Sequence, residues 1–249
     1  MDASLTTFPR PRSVNAAVRP QKKSRDMWPF TSKRKDDFAA LLEGTRLARE
    51  TQWSREYRRP DGTNALLDSR FRDGSATISH RQLSTDWASW SDAEKLDFCQ
   101  SFCHYRGRNF AKMLRFIVDN GNDLVWSTIA MPVAMSLPTN EAVAFLCDRI
   151  ENSEIGTRAN YFQGCWITKS NDTVPTLNDA INQIWRSPDL MVSNSGCNWV
   201  THDAIWCIDA LVRLGEPKEQ LLDHYTQLSR HPTMGTQAVK WLAEHFNQG

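Results

Sequence analysis

The sequence predicts an all-α protein: an α-solenoid of about three to four helix pairs behind a disordered, basic N-terminal arm. Three observations predict it. From Ser91 onward, apolar residues recur at steps of three and four, broken by short Gly-, Asn- or Pro-bearing connections. No segment alternates polar and apolar residues over a strand's length. Finally, Trp126, Trp166 and Trp206 follow one another at intervals of 40 residues, with Trp241 a further 35 on.

Residues 1–35 hold nine Lys/Arg against Asp2 and Asp26, a net +7, and four prolines. Such a composition cannot bury enough apolar surface to fold and reads as a disordered arm. It also has the Arg-rich, acid-poor character of an organelle transit peptide over 1–26. A solvated tail, or a start at Met27, are the alternatives. Residues 36–59 form an amphipathic helix, with Phe38, Leu41, Leu42, Ala48 and Trp53 on its apolar face. Pro60-Asp61-Gly62 ends it. Residues 60–90 carry two Asp-Gly pairs and no helical period, and read as a flexible linker or flap.

Residues 91–249 make up the repeat domain. Ser91 and Glu94 form a capping box, which starts a helix at 91–105. Further helices are expected at 108–119, 122–136, 139–152, 158–170, 176–187, 198–214, 217–230 and 234–247. Gly107, Gly121, Gly156 and Gly215 stand where a helix C-terminus favours positive φ. Pro138, Pro175 and Pro217 stand at the starts of alternate helices.

The whole chain carries a formal net charge of +1, yet residues 116–249 hold 8 Lys/Arg against 15 Asp/Glu. A phosphate backbone is repelled by that body, so nucleic acid is a candidate partner only for the N-terminal third, through Arg55, Arg58, Arg59, Arg70, Arg72 and the arm. The six cysteines are scattered through apolar windows, unlike a secreted disulfide framework, which favours a reducing, cytoplasmic setting. No apolar run reaches the length of a membrane span, so no membrane partner is expected.

Cys99-x-x-x-Cys103-His104 puts two sulfurs on one helical face, but a structural metal site needs a second such pair, and core packing is the preferred reading. No metal and no cofactor are therefore assigned: Gly-rich phosphate loops, HExxH and GxSxG are absent. His202 and Asp203 are adjacent and point in different directions on a helix, so they are no dyad. His80, His224, His231 and His245 read as surface or helix-end histidines.

Within 198–214 the polar residues His202, Asp209 and Arg213 share one stripe with Trp206. Asn122 stands before Trp126, Gln163 before Trp166, and Gln237 before Trp241, each at a helical step. The candidate partner-binding set is thus Trp126, Gln163, Trp166, His202, Trp206, Asp209, Arg213, Gln237 and Trp241. Two readings stay open. The indoles are a recognition strip, or they are inter-repeat core with the upstream polar side chain accepting each indole N–H.

Ala210-Leu211-x-x-Leu214-Gly215-x-Pro217-x-x-x-Leu221-Leu222 resembles a HEAT-like (armadillo-type) unit: the end of a first helix, a tight Gly/Pro turn and the start of a second. Together with the 40-residue period, the resemblance extends over residues 91–249. It implies a curved stack that presents a surface, and hence a non-enzymatic adaptor or scaffold with a protein partner. The alternatives are an all-helical enzyme with an acidic cleft, or a nucleic-acid-associated protein acting through its arm.

Overall fold

A computed structural model of the chain describes residues 78–191 and 199–230. The arm at 1–35, the helix at 36–59, most of the linker at 60–90, the helix at 234–247, and with it Gln237 and Trp241, lie outside these residues. Among the described residues all regular structure is helical: α1 His80–Asp86, α2 Asp92–Phe102, α3 Phe110–Asn120, α4 Asp123–Ser136, α5 Thr139–Asn152, α6 Ala159–Thr168, α7 Val174–Arg186, α8 Trp199–Leu214 and α9 Lys218–Ser229.

Local chemistry sets most of these boundaries. Ser91 and Glu94 close the capping box, with Ser91 N–H donating to the Glu94 carboxylate at 2.8 Å and Glu94 N–H to Ser91 Oγ at 3.3 Å. Asn122 caps α4 by accepting from Val125 N–H. Pro138 and Pro217 stand directly before α5 and α9, and Pro175 lies in the first turn of α7. At the end of α8, Glu216 N–H reaches back to Leu211 O while Gly215 takes φ 82°, a left-handed closure that glycine enters without steric cost. Gly156 is also left-handed, at φ 97°. Gly107 and Gly121 do not take the expected positive φ, although Gly121 does stand at the C-terminal end of α3. Gly121 is instead extended, and a Cβ there would stand 2.8 Å from the Trp126 indole nitrogen. The left-handed cap of α6 is a non-glycine residue, Lys169.

The linker expectation fails at its end. Residues 78–90 supply α1 and a 3-10 turn, Trp87–Ser89. Ile78, Leu83 and Trp87 are buried, and the Trp87 indole N–H donates to Asn120 O at 2.9 Å. Trp87 packs edge-on against Phe98 and Phe116. Spacings of five and four between these three residues are a poor helical signal, so tertiary packing rather than periodicity orders the segment.

Two sets of helix contacts run through the described residues. α2, α4, α6 and α8 lie side by side, each against the next. In the other set α1 meets α3 and α5 meets α7, while the hairpin partners α3–α4, α4–α5, α5–α6, α7–α8 and α8–α9 also touch. α3 buries Phe110, Met113, Leu114 and Ile117; α7 buries Leu177, Ala180, Ile181 and Ile184. Each of these side chains larger than alanine contributes roughly 1.5–3 kcal/mol when withdrawn from water. The interior has two parts, one built from Ile78 to Ala142 and one from Ala130 to Leu228, with Trp126 and Phe145 packing against both. Gly164 permits the close approach of α6 to both α5 and α4, since a Cβ there would lie 2.6 Å from Leu146 Cδ2 and 3.3 Å from Ala130 O.

Pro132 stands inside α4. Having no N–H, it cannot donate to the carbonyl of Thr128 one turn back. Cys103 donates its thiol to that oxygen instead, at 3.4 Å. Burial pushes the Cys103 thiol up to about 12, so the donor proton is retained at neutral pH. Phe98 and Phe102 stack beside Cys99, which is fully buried. The Cys99/Cys103 pair thus serves packing and hydrogen bonding in α2.

Candidate functional site

The three in-register indoles are all half-buried, and each has a different neighbour. Trp126 donates its N–H to Val118 O at 3.0 Å and lies under Arg149, whose guanidinium is 4.1 Å from the ring centre. It borders a shallow groove between α3 and α5 with Arg115, Glu141 and Phe145. Trp166 lies under Arg213 of α8, at 4.5 Å, and its buried N–H has no hydrogen-bond partner. Trp206 donates its N–H to His202 Nε2 at 2.9 Å and borders an apolar groove with Ile205, Tyr225 and Leu228. The indoles therefore do not line a single strip. Asn122 caps α4 and does not accept the Trp126 indole N–H, so among the described residues the upstream polar partner is realised only in His202–Trp206. Gln163 is half-buried on α6.

On α8 the stripe forms as the spacing predicts. His202 and Trp206 bond to each other, and Arg213 donates to Asp209 Oδ2 at 2.7 Å. The bond makes His202 Nε2 the acceptor, which places the ring's N–H donor on Nδ1 in this geometry. Trp199 extends the stripe by one more turn, its ring set edge-on to His202 at 5.9 Å.

Trp199 opens onto a groove of about 740 Å³ between the first turns of α4, α6 and α8. Its lining includes Asp123, Leu124, Asn160, Glu154, Trp199 and His202. Trp199 is 74% exposed and Leu124 56%, and Met135, further along α4, is 63% exposed. Asn160 donates its side-chain amide to Ser127 Oγ at 3.0 Å across the floor. Sequence reasoning passed over Trp199 and Leu124. Trp199 stands three residues before His202 and seven before Trp206, so the stripe's own periodicity carried the signal.

Beneath the groove a buried polar lock joins α8 to α6. The Asp203 carboxylate, fully buried, accepts Gly156 N–H at 2.7 Å and Arg158 N–H at 3.1 Å, capping α6 from another helix. Arg158, itself buried, donates Nε to Ser153 O at 2.9 Å and Nη1 to Gln183 Oε1 at 2.9 Å. Burial raises the Asp203 carboxyl above its ordinary range, outweighing the amides and the Arg158 charge that favour ionisation. His202 and Asp203 are thus engaged with different partners, as their adjacency requires.

His224 departs from the expected surface role. It is 9% exposed and accepts the Trp185 indole N–H on Nδ1 at 3.1 Å. Burial lowers its pKa below the ordinary 6.5, against the opposing charges of Asp223 and Glu216. The unfolded chain therefore takes up a proton before the folded one does. Stability from this residue is present above pH 6.5 and falls as the pH drops through the interval below it. His224→Gln keeps an acceptor for Trp185 but cannot titrate. Unfolding midpoints in urea, compared between the two proteins from pH 7.5 to 5, should fall faster in the wild type. Parallel curves would contradict the assignment.

The chain matches no protein-family model, no curated protein and no solved structure. Among the described residues no helix is long and apolar enough to cross a membrane.

Proposed function

We propose that the helix row is a HEAT-like α-solenoid serving as a protein-interaction module, an adaptor or scaffold that takes its partner along the exposed face of α4, α6 and α8. The observation that carries this reading is the exposed apolar set on that face: Leu124, Met131 and Met135 along α4, and Trp199 across the groove. A bare indole beside an open, mixed polar and apolar groove is the composition of an interface centre. Methionines add a surface that adapts to its partner's shape. The side-by-side packing of alternate helices and the 40-residue tryptophan interval support the solenoid.

Binding is preferred to catalysis because the groove is open and the buried carboxylate nearest to it, Asp203, is committed to the amides of α6. The cations that favour nucleic acid, Arg55 to Arg72 and the arm, lie outside the described residues. Free thiols at Cys99, Cys103, Cys147, Cys165 and Cys207 fit a reducing, cytoplasmic setting. Of the α8 stripe, His202 and Arg213 serve chiefly to cover Trp206 and Trp166, so replacing them disturbs packing along with any contact.

The exposed α4 residues give a cleaner test. Leu124→Asp with Met135→Asp should reduce capture of the specific partner from the native cell by tenfold or more, while Arg115→Ala with Glu141→Ala, on the α3–α5 side, leaves it unchanged. Each exposed pair should alter the melting temperature little. Equal capture by both variants, or no specific partner for the wild type, would overturn the reading.

A further inference from the structure

Twice among the described residues an indole is covered by a guanidinium that an aspartate holds in place. Arg149, paired with Asp148 and 3.8 Å from Asp123, lies over Trp126. Arg213, bonded to Asp209, lies over Trp166. Trp199 has no such cover. Among the described residues its one ring partner is His202, set edge-to-face, and it is 74% exposed. Its groove brings carboxylates but neither lysine nor arginine: the lining includes Asp123 and Glu154, with His202 the one basic side chain.

Glu154 stands two residues before Gly156, against whose backbone Trp199 is seated; a Cβ at 156 would come within 3.2 Å of Trp199 Cβ. The Glu154 carboxylate makes no ion pair with another described residue. Asp123 is 75% exposed at its side chain, and its one ion-pair partner among the described residues, Arg149, is at the long limit of an ion pair. An acidic groove lined by no guanidinium, beside an indole that none covers, is the vacant counterpart of the two filled arrangements.

We infer that this groove receives an arginine side chain from an extended segment of the partner protein, the guanidinium stacking on Trp199 and pairing with Glu154 and Asp123. The inference rests on the protein-interaction reading above. Arginine is favoured over lysine because a planar, weakly hydrated guanidinium can stack and pair at once, whereas an ammonium acts as a compact hydrated charge. The open groove suits an extended chain, whose amides can meet the hydroxyls and side-chain amides of Thr157, Asn152 and Asn160. Charge complementarity predicts an affinity that weakens with salt.

The test uses the full chain and a labelled Gly/Ser peptide carrying two arginines, followed by fluorescence anisotropy. Matched peptides carry lysine or citrulline, the latter keeping arginine's planar shape without its charge. The arginine peptide should bind several-fold more tightly than the lysine peptide. Citrulline, or Trp199→Ala in the protein, should weaken binding by about tenfold. Glu154→Gln should weaken it less and flatten its salt dependence. Trp199 is exposed enough that its removal leaves the fold intact, which an unchanged thermal melt verifies.

Equal binding of the citrulline peptide, full affinity in Trp199→Ala, or no binding at millimolar peptide would overturn the arginine site. So would self-association through Trp199 that the peptide does not compete. If partner capture through Leu124 and Met135 persists in those cases, the interaction reading stands and only the arginine assignment falls.

Discussion

Asp203→Ala should destabilise the protein by about 3–5 kcal/mol, a large share of the roughly 5–15 kcal/mol available to a domain. The carboxylate is fully buried and accepts the amides of Gly156 and Arg158, donors that have no other acceptor once it is removed. The change also leaves the buried Arg158 guanidinium without its nearby negative charge. Both effects act at the α6–α8 contact, one of the most extensive in the helix row. Asp203→Asn separates them. It keeps one acceptor oxygen, and because burial already disfavours the carboxylate's charge, neutralising the group should cost less than half as much as alanine. Urea unfolding of the three proteins is the check. A cost below about 1 kcal/mol for alanine would mean that water replaces the carboxylate and that the lock is dispensable.

The second large effect is at Trp87, in the segment that reads as linker. Trp87→Ala should cost about 3–5 kcal/mol, the range for deleting a buried large aromatic. The ring is 4% exposed, contacts Trp90, Phe98 and Phe116, and anchors its N–H on Asn120 O. A true linker residue would give a change within about 0.5 kcal/mol. Trp87→Phe, which keeps most of the ring and loses the indole donor, should fall between the two.

What the sequence revealed and what it hid follow from the range of each interaction. Helices α2 to α9 were legible because their signals are local: the Ser91/Glu94 box, Asn122, the prolines at 138, 175 and 217, and apolar residues at steps of three and four. The α8 stripe was legible for the same reason, since His202, Trp206, Asp209 and Arg213 lie within three turns of one helix. Asp203 was missed as a structural centre because its partners are 45 and 47 residues away in the chain. The only local hint is an acid inside the apolar arc of Val200, Ala204 and Cys207. Residues 78–90 were misread because their three buried residues never complete a regular period.

The tryptophan interval was real as a length but misleading as a face. Trp126 falls in the first turn of α4, Trp166 near the end of α6 and Trp206 midway along α8, and the side chains around each decide which way it is covered. Trp126 is met by Arg149 of α5, Trp166 by Arg213 of α8, and Trp206 by a residue of its own helix. The exposed indole of the groove, Trp199, lies outside that register.

The proposal that helical hairpins complete one another's interiors in a row is tested most directly by native-state hydrogen exchange on Asp203→Ala. In a row, destabilisation spreads to neighbours and weakens with distance. The account predicts that amides of α6, α7 and α8 lose protection by orders of magnitude, while those of α2 and α3, in the Trp87–Phe98–Phe102 cluster, change by less than tenfold. A uniform loss across α2 to α9 would show one indivisible core and contradict the account.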